Sequence, residues 1–250
     1  MGIIEKVPAN EPSIWCHKMV VTTKPGSKKL RRTVDMSGLI KASYRMTHPG
    51  LSPFLQAQDI PPNSYKTVTD AWQGFHMIPL DPESIKYTTF ITEFGRYRYK
   101  RMPQGDQVSM DAYNFRFDKI TSKVNNKKRC VDDSLLYEQR SLADAFWQVV
   151  EYLYLMGTNG VLQNPNKFRF ALKEVEWAGF LIGPEGVKPL PKHTEAIRNY
   201  PTPANLTDLR SYMALLQQVA FCYAISPAVY PLRHLLKPSN LWEWLSLIHI

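Results

Sequence analysis

The sequence predicts an α+β fold, on three observations. Short runs rich in Val, Thr and aromatic residues recur from about residue 19 to residue 182, as strands require. Helical patterns with capping residues separate some of these runs. Past about residue 183 the pattern becomes helical, which sets the expected boundary between a 1–182 unit and a 183–250 unit.

Residues 15–40 read as a basic hairpin. Met19-Val20-Val21 leads into KPGSKKLRR, with Pro25-Gly26 as the turn, and the chain returns through Thr33-Val34. Residues 43–66 look irregular, with prolines at Pro49, Pro53, Pro61 and Pro62. The β-prone run Lys66-Thr67-Val68-Thr69 ends at Asp70, and KYTTFITEFGRYRYKRM forms a second pair of strands turning at Glu93–Gly95. Ser109 to about Val124 suits a helix, with Ala112, Phe115 and Ile120 on one face.

KRCVDDSLLY (128–137) reads as a hairpin with Asp132-Asp133 at its tip. Ser141 caps the next helix and Asp144 occupies its third position. The apolar period runs to Leu155, and Gly157 and Gly160 close it. KFRF and VEWAGFLI follow as strands, with Glu185-Gly186 in a turn. A helix from about Lys192, the PTP break and a longer helix from Asn205 or Thr207 complete the chain.

The bulk properties bound the function. A chain of 250 residues with 44% hydrophobic and 21% charged content supports a folded core. The net charge of +9 suits a polyanionic partner. Cys16, Cys130 and Cys222 are odd in number and widely spaced, so neither a zinc site nor a disulfide framework follows, and reduced thiols in an intracellular protein are expected. No apolar run is long enough to cross a bilayer. The N-terminus lacks a signal-peptide core, and Glu5, Lys6 and Val7 supply no Ser or Thr where myristoylation needs one.

The main chemical signal is carboxylate. Asp70 ends one strand and Asp132-Asp133 tip a hairpin. Aspartate pairs are common in turns because Asp favours them. On a hairpin of otherwise buried strands, two carboxylates are costly unless something cationic lies there. Nucleotidyl transfer needs charge neutralised on the attacking oxygen, the phosphoryl group and the leaving pyrophosphate, and two magnesium ions held by carboxylates from separate strand ends can do so.

Ordered blocks carry a resemblance. VTDAWQGFHMIPLDPESIKYTTFITEFGRYRYKRMPQG, CVDDSLLY, NGVLQNPNKFRF and EWAGFLIGPEGVKP resemble reverse transcriptases of gypsy-type long-terminal-repeat retroelements and, more distantly, retroviruses, over about Glu11 to Trp244. The resemblance implies a right-hand polymerase: fingers at 15–65 and 82–101, a palm of antiparallel sheet backed by helices at 66–81 and 102–182, and a partial helical thumb and connection from 183. It implies an RNA-directed DNA polymerase that joins deoxynucleoside triphosphates (dNTPs) to a DNA primer on an RNA template, using two Mg2+ ions with Mn2+ as a substitute.

Residue by residue, Asp70 and Asp132 match the main metal ligands, Asp133 a weaker one, and the Ala71 carbonyl a further one. Phe75 matches the aromatic gate against a ribose 2′-hydroxyl, or else is a core aromatic. Gln104 and Gly105 match the segment beside the incoming nucleotide, and Arg31 and Lys24 match the grip on its triphosphate. The other reading of those two is a solvated basic loop. Lys167 matches a proton donor to pyrophosphate, or else is a surface lysine. Trp177, Ala178, Gly179, Phe180 and Leu181 match the primer grip, a hairpin running to Ile182 that would hold the primer end over the metals.

Three features depart from the pattern. Cys130 stands where tyrosine or phenylalanine is usual, Asp106 where an apolar residue is usual, and Gln107–Met110 matches the usual small-residue run only loosely. The terminal LSLIHI lies outside the resemblance and reads as non-native sequence. Protease, ribonuclease H and integrase regions are expected elsewhere in the same polyprotein. The expected location is intracellular, in a cytoplasmic virus-like particle, with the nucleus as the alternative and no membrane contact. The competing function is a decayed or domesticated remnant that binds nucleic acid without catalysis, for which Asp106 is the motive. A different magnesium-dependent phosphoryl-transfer enzyme is a third reading, to which nothing between Asp70 and Lys167 points.

Overall fold

The computed structural model describes residues 2–23, 30–44, 47–105, 107–222 and 225–237. In chain order the elements are β1 (Ile4–Lys6), β2 (His17–Thr23), β3 (Leu30–Asp35), α1 (Ser37–Ala42), α2 (Pro53–Gln58) and β4 (Tyr65–Asp70). There follow β5 (Phe90–Thr92), β6 (Gly95–Tyr99), α3 (Gln107–Ile120), β7 (Lys127–Cys130), β8 (Asp133–Glu138) and α4 (Leu142–Thr158). Last come β9 (Arg169–Leu172), β10 (Val175–Trp177), β11 (Phe180–Gly183), β12 (Gly186–Pro189), α5 (Pro191–Arg198), α6 (Leu206–Val219) and α7 (Ser226–Leu235).

The strands form three sheets: β1-β6-β5-β2-β3, β7-β8-β4-β9 and β10-β11-β12. The first is mixed, because β2 and β5 run parallel while its other pairs are antiparallel. The expected basic hairpin is β2–β3, and its Pro25-Gly26 turn lies outside the described residues. The second sheet is antiparallel throughout and is the platform of the site.

The cover on both faces of that platform is visible in β4, where Lys66 to Asp70 are all buried, and in β8. On β8, Leu135 and Leu136 point to opposite faces, and both are buried. Leu136 joins a core with Tyr113 and Phe117 of α3 and Val149, Tyr152 and Met156 of α4. Leu135 joins a second core with Val68, Ala57 of α2, and Val175, Trp177 and Ile182 of the third sheet. Each such leucine contributes roughly 1.5–3 kcal/mol by leaving water. A sheet covered on both faces cannot show the one-sided alternation of a wet sheet.

The helix ends follow the expected chemistry. The Ser141 hydroxyl oxygen accepts from the Asp144 amide at 3.1 Å and starts α4. Asn205 does the same for α6, accepting from Asp208 at 2.9 Å. Gly160, at φ +74°, lies just past the end of α4, whereas Gly157 is inside the helix.

Several local expectations are corrected. VEWAGFLI is not the single strand its pattern suggests but a hairpin, as the resemblance implies. It folds back through Ala178 and Gly179, both at positive φ (+49° and +89°), so that Trp177 pairs with Phe180. Two consecutive left-handed residues are what a tight two-residue hairpin demands. The irregular segment 43–66 contains α2, which Pro53 opens from the first helical position. The helix expected at Ser109–Val124 begins at Gln107 and ends at Ile120, because the Thr121 to Val124 segment closes as turns.

One charge is unexpectedly buried. Lys66 of β4 is fully inaccessible, and its ammonium donates to the carbonyls of Pro62 (2.7 Å), Ser64 (3.2 Å) and Lys173 (3.1 Å). Burial pulls its pKa down to about 8.

Candidate active site

Register assembles the acidic cluster. β4 pairs with β8 so that Asp70 lies directly opposite Asp133, while Asp132 sits in the turn before β8. The Ala71 amide donates to the Asp132 carbonyl at 2.9 Å, pinning that turn to the end of β4. One carboxylate oxygen from each of Asp70, Asp132 and Asp133 lies within 4.8 Å of the others. These are hard oxygen donors converging from two strands, a set that fits Mg2+ or Mn2+.

The electrostatics point the same way. Burial, helped by the Asp70 charge, raises Asp132 above the ordinary carboxylate range. Burial and the neighbouring Asp132 and Asp70 push Asp133 up to about 6. A cation would relieve this repulsion, and one already touches the cluster. Lys167 lies in the short turn Pro165–Lys167, and its Nζ is 2.5 Å from Asp70 Oδ2. That contact raises the lysine pKa, so the ammonium is the held form. Ala71 is buried, and its backbone bridges to Gln163, the residue that also accepts from the Thr69 hydroxyl at 2.7 Å.

Asp70, Asp133, Lys167, Cys130, Trp177, Ala178 and Gly179 line one open cleft. The hairpin of β10 and β11 thus presents its tight turn to the carboxylates, and Trp177 Nε1 donates to the Asp133 carbonyl at 3.4 Å. Phe180 points away and packs on Phe54 and Phe221, with ring centroids 5.9 and 4.8 Å apart. Leu181 lines a separate groove beside α2. Burial raises the Cys130 thiol pKa, so it stands in the cleft wall as a neutral group.

Phe75, Gln104 and Gly105 are not among the residues that line that cleft. Phe75 is half-buried in the short turn Gly74–Met77, its ring stacked on Tyr113 at 4.8 Å. Gln104 and Gly105 are exposed in the loop before α3, where Gly105 takes φ +97°. Arg31 belongs to β3, but its side chain, like all of Lys24 and Asp106, lies outside the described residues. So does LSLIHI.

Sequence reasoning missed a network behind the turn. Arg129 reads as the last member of the basic run Lys127-Lys128-Arg129, yet its side chain is only 10% exposed. It contacts Asp118, Asn114 and the Val131 carbonyl. Tyr113 was also missed. It is fully buried between Phe75 and Phe117, and its hydroxyl has no hydrogen-bond partner among the described residues. A buried hydroxyl without a partner carries no sequence signal. Arg129 offered one, as the cation of the basic run that stands nearest in sequence to the two aspartates.

Comparison with known proteins gives the family. The model for "Reverse transcriptase (RNA-dependent DNA polymerase)" matches residues 11–182. The Pol polyprotein of transposon 297 from Drosophila melanogaster is 31% identical over 218 residues, covering 83% of this chain and 20% of that protein. That of transposon gypsy, from the same organism, is 24% identical over 96% of this chain and 23% of its own length. The chain therefore spans about a fifth of the curated relatives it matches. Among solved structures, a foamy viral protease-reverse transcriptase with double-stranded DNA superposes at TM-score 0.90, with 20% identity, over 99% of this chain and 43% of that one. The same enzyme with an RNA/DNA hybrid gives 0.86, with 19% identity, over 98% and 33%. The right-hand α+β architecture and the gypsy-type likeness are thus both observed, and the chain belongs to the reverse transcriptase (RNA-dependent DNA polymerase) family.

Proposed function

We propose that this chain is the polymerase portion of a retroelement polyprotein, an RNA-directed DNA polymerase that extends a DNA primer on an RNA template with dNTPs. The observation that carries this is the convergence of Asp70, Asp132 and Asp133 to within 4.8 Å beside the Lys167 ammonium. Asp70 and Asp132 are the main ligands of two Mg2+ ions, or of Mn2+ in their place, with Asp133 and the Ala71 carbonyl contributing. When bound, the ions neutralise the charge that develops on the attacking and leaving oxygens.

The chain's own residues do the rest. Lys167 holds a proton at Nζ and presents it to the departing pyrophosphate. Trp177, Ala178 and Gly179 hold the primer end from the hairpin turn at the cleft edge, and Phe180 and Leu181, which pack toward α2, anchor that hairpin. Phe75 excludes a ribose 2′-hydroxyl, Gln104 and Gly105 pack on the incoming nucleotide, and Arg31 and Lys24 grip its triphosphate. Residues 15–65 and 82–101 serve as fingers, 66–81 and 102–182 as palm, and 183 onward as thumb and the start of a connection. Protease, ribonuclease H and integrase regions complete the polyprotein, which acts in a cytoplasmic virus-like particle. Among the described residues no helix is long and apolar enough to cross a membrane.

Primer extension on an RNA template tests this, with Asp132→Asn as the control. Metal-dependent extension by the wild type, lost in the variant, is expected. Equal signal from both overturns the assignment. Salt-sensitive binding of an RNA–DNA hybrid with no extension replaces it with a binding-only remnant.

A further inference from the structure

The turn that carries Asp132 is held in an unfavourable backbone conformation. Val131 has φ +55°, the left-handed region that a β-branched residue rarely enters. Something outside the turn must hold it there. The Val131 carbonyl accepts from Arg129 Nη1 at 2.9 Å.

Arg129 is itself fixed from three sides. Its fork donates to Asn114 Oδ1 (2.8 Å) and to Asp118 Oδ1 (2.7 Å), both on α3. His48 Nε2 lies 2.6 Å from the other Asp118 oxygen. The Arg129 main chain is gripped as well. Its amide donates to Gln56 Oε1 (3.0 Å) and its carbonyl accepts from Gln56 Nε2 (3.1 Å), so α2 also reaches the strand. An exposed ion pair would have no need of this burial or of so many donors. A planar guanidinium supplies donors in fixed directions, which one ammonium cannot do.

We infer that Arg129 is a positioning residue for the carboxylate turn. Through the Val131 carbonyl it keeps Val131 left-handed, and so sets the direction in which Asp132 presents its carboxylate to metal. The inference rests on the metal-binding reading of the aspartates proposed above. With the link cut, Val131 relaxes toward extended backbone and the peptide preceding Asp132 rotates.

The test uses the whole chain, with Arg129→Met, Arg129→Lys and the double variant Arg129→Met/Val131→Gly. Mn2+ binding to the free protein is followed by electron paramagnetic resonance, and primer extension gives kcat and KM. Both single variants are expected to bind Mn2+ at least about fivefold more weakly. Their kcat should fall about 10- to 100-fold, the scale set by a misplaced catalytic group, with KM for dNTP and affinity for the RNA–DNA hybrid within about twofold. Lysine should fail to rescue. Glycine adopts positive φ freely, so Val131→Gly should restore much of the loss in the Arg129→Met background, a recovery that mere loss of packing would not allow. Wild-type Mn2+ affinity and kcat in Arg129→Met overturn the inference, and so does a double variant no better than the single one. If Arg129→Met does not fold, Asp118→Asn and Gln56→Ala must show the same kcat-selective loss or the inference fails. A wild type that binds no Mn2+ and extends no primer overturns the metal reading, and this inference with it.

Discussion

Substituting Gly74 by alanine should destabilise the protein, for a reason that lies in one atom. A Cβ built on Gly74 meets Tyr113 Oη at 2.5 Å, Cε2 at 2.8 Å and Cζ at 2.9 Å. Tyr113 has no room to yield, being fully buried with Phe75 and Phe117 on its two sides at 4.8 and 4.2 Å. Overpacking of this kind costs about 1–3 kcal/mol. The Gly74 backbone is not left-handed, so alanine there regains roughly 0.5–1 kcal/mol through the less flexible unfolded chain. A net loss of about 1–2 kcal/mol remains. Tyr113→Phe removes a buried hydroxyl that has no partner, so alone it should be neutral or stabilising by about 1 kcal/mol. In the double variant the 2.5 Å contact disappears while the two ring contacts stay, so partial rescue is expected. Urea unfolding of all four proteins, read by circular dichroism, gives the coupling, expected at about 0.5 kcal/mol or more. Wild-type stability in Gly74→Ala, or strict additivity in the double variant, would refute the reasoning.

Other outcomes follow from the same geometry. Ser141→Ala removes the cap of α4 and should cost about 1 kcal/mol of unfolding free energy, whereas Ser141→Thr, which keeps a hydroxyl to accept from the Asp144 amide and donate to its carboxylate, should cost less. Ala178→Gly relieves a left-handed alanine at φ +49° and should raise the melting temperature, by the equivalent of roughly 0.5–1 kcal/mol. Hydrogen bonds from Arg140 and the Gln139 amide hold Glu138 down at about 2, so its contribution is complete above its unfolded value of 4.5 and is lost as pH falls through 2. Because Arg140 is 72% exposed, Glu138→Gln should cost only about 1 kcal/mol at neutral pH, with the gap closing in acid. Burial pulls Lys66 from 10.5 to about 8, so between those values the unfolded chain binds more protons and stability rises with pH. Stability curves for the wild type and Lys66→Met should therefore diverge in favour of the wild type from about pH 8 to 10, by on the order of 2 kcal/mol; parallel curves would disprove the assignment.

Local chemistry was legible where it is local. Ser141 with Asp144, Asn205 before α6, and the hairpin around Asp132-Asp133 each advertise themselves within a few residues. Asp70 at the end of β4 was legible for the same reason. Features built from distant residues were not. β1 is three residues long and is a strand only because β6 pairs with it. Lys66 looks like an ordinary wet lysine until Lys173, far along the chain, closes over it. The grip of Gln56 on Arg129 spans 73 residues. The local pattern gave little sign of the turn at Ala178, because alanine carries no left-handed preference; the following glycine hinted at it, and the family resemblance implied the hairpin.

The order of β4 in its sheet has a kinetic consequence. Its two neighbours, β8 and β9, both come from much later in the chain, and Lys167 reaches Asp70 across 97 residues. Closing loops of that length is slow compared with forming α4 or the β10–β11 hairpin. A nascent chain therefore carries Asp70 for a long stretch of synthesis with nothing opposite it. Asp70 begins to repel Asp132 and Asp133 only when β8 docks, a step the apolar pair Leu135 and Leu136 must drive against that repulsion. Divalent cations, by screening the cluster, should speed this last step of refolding as well as stabilise its product.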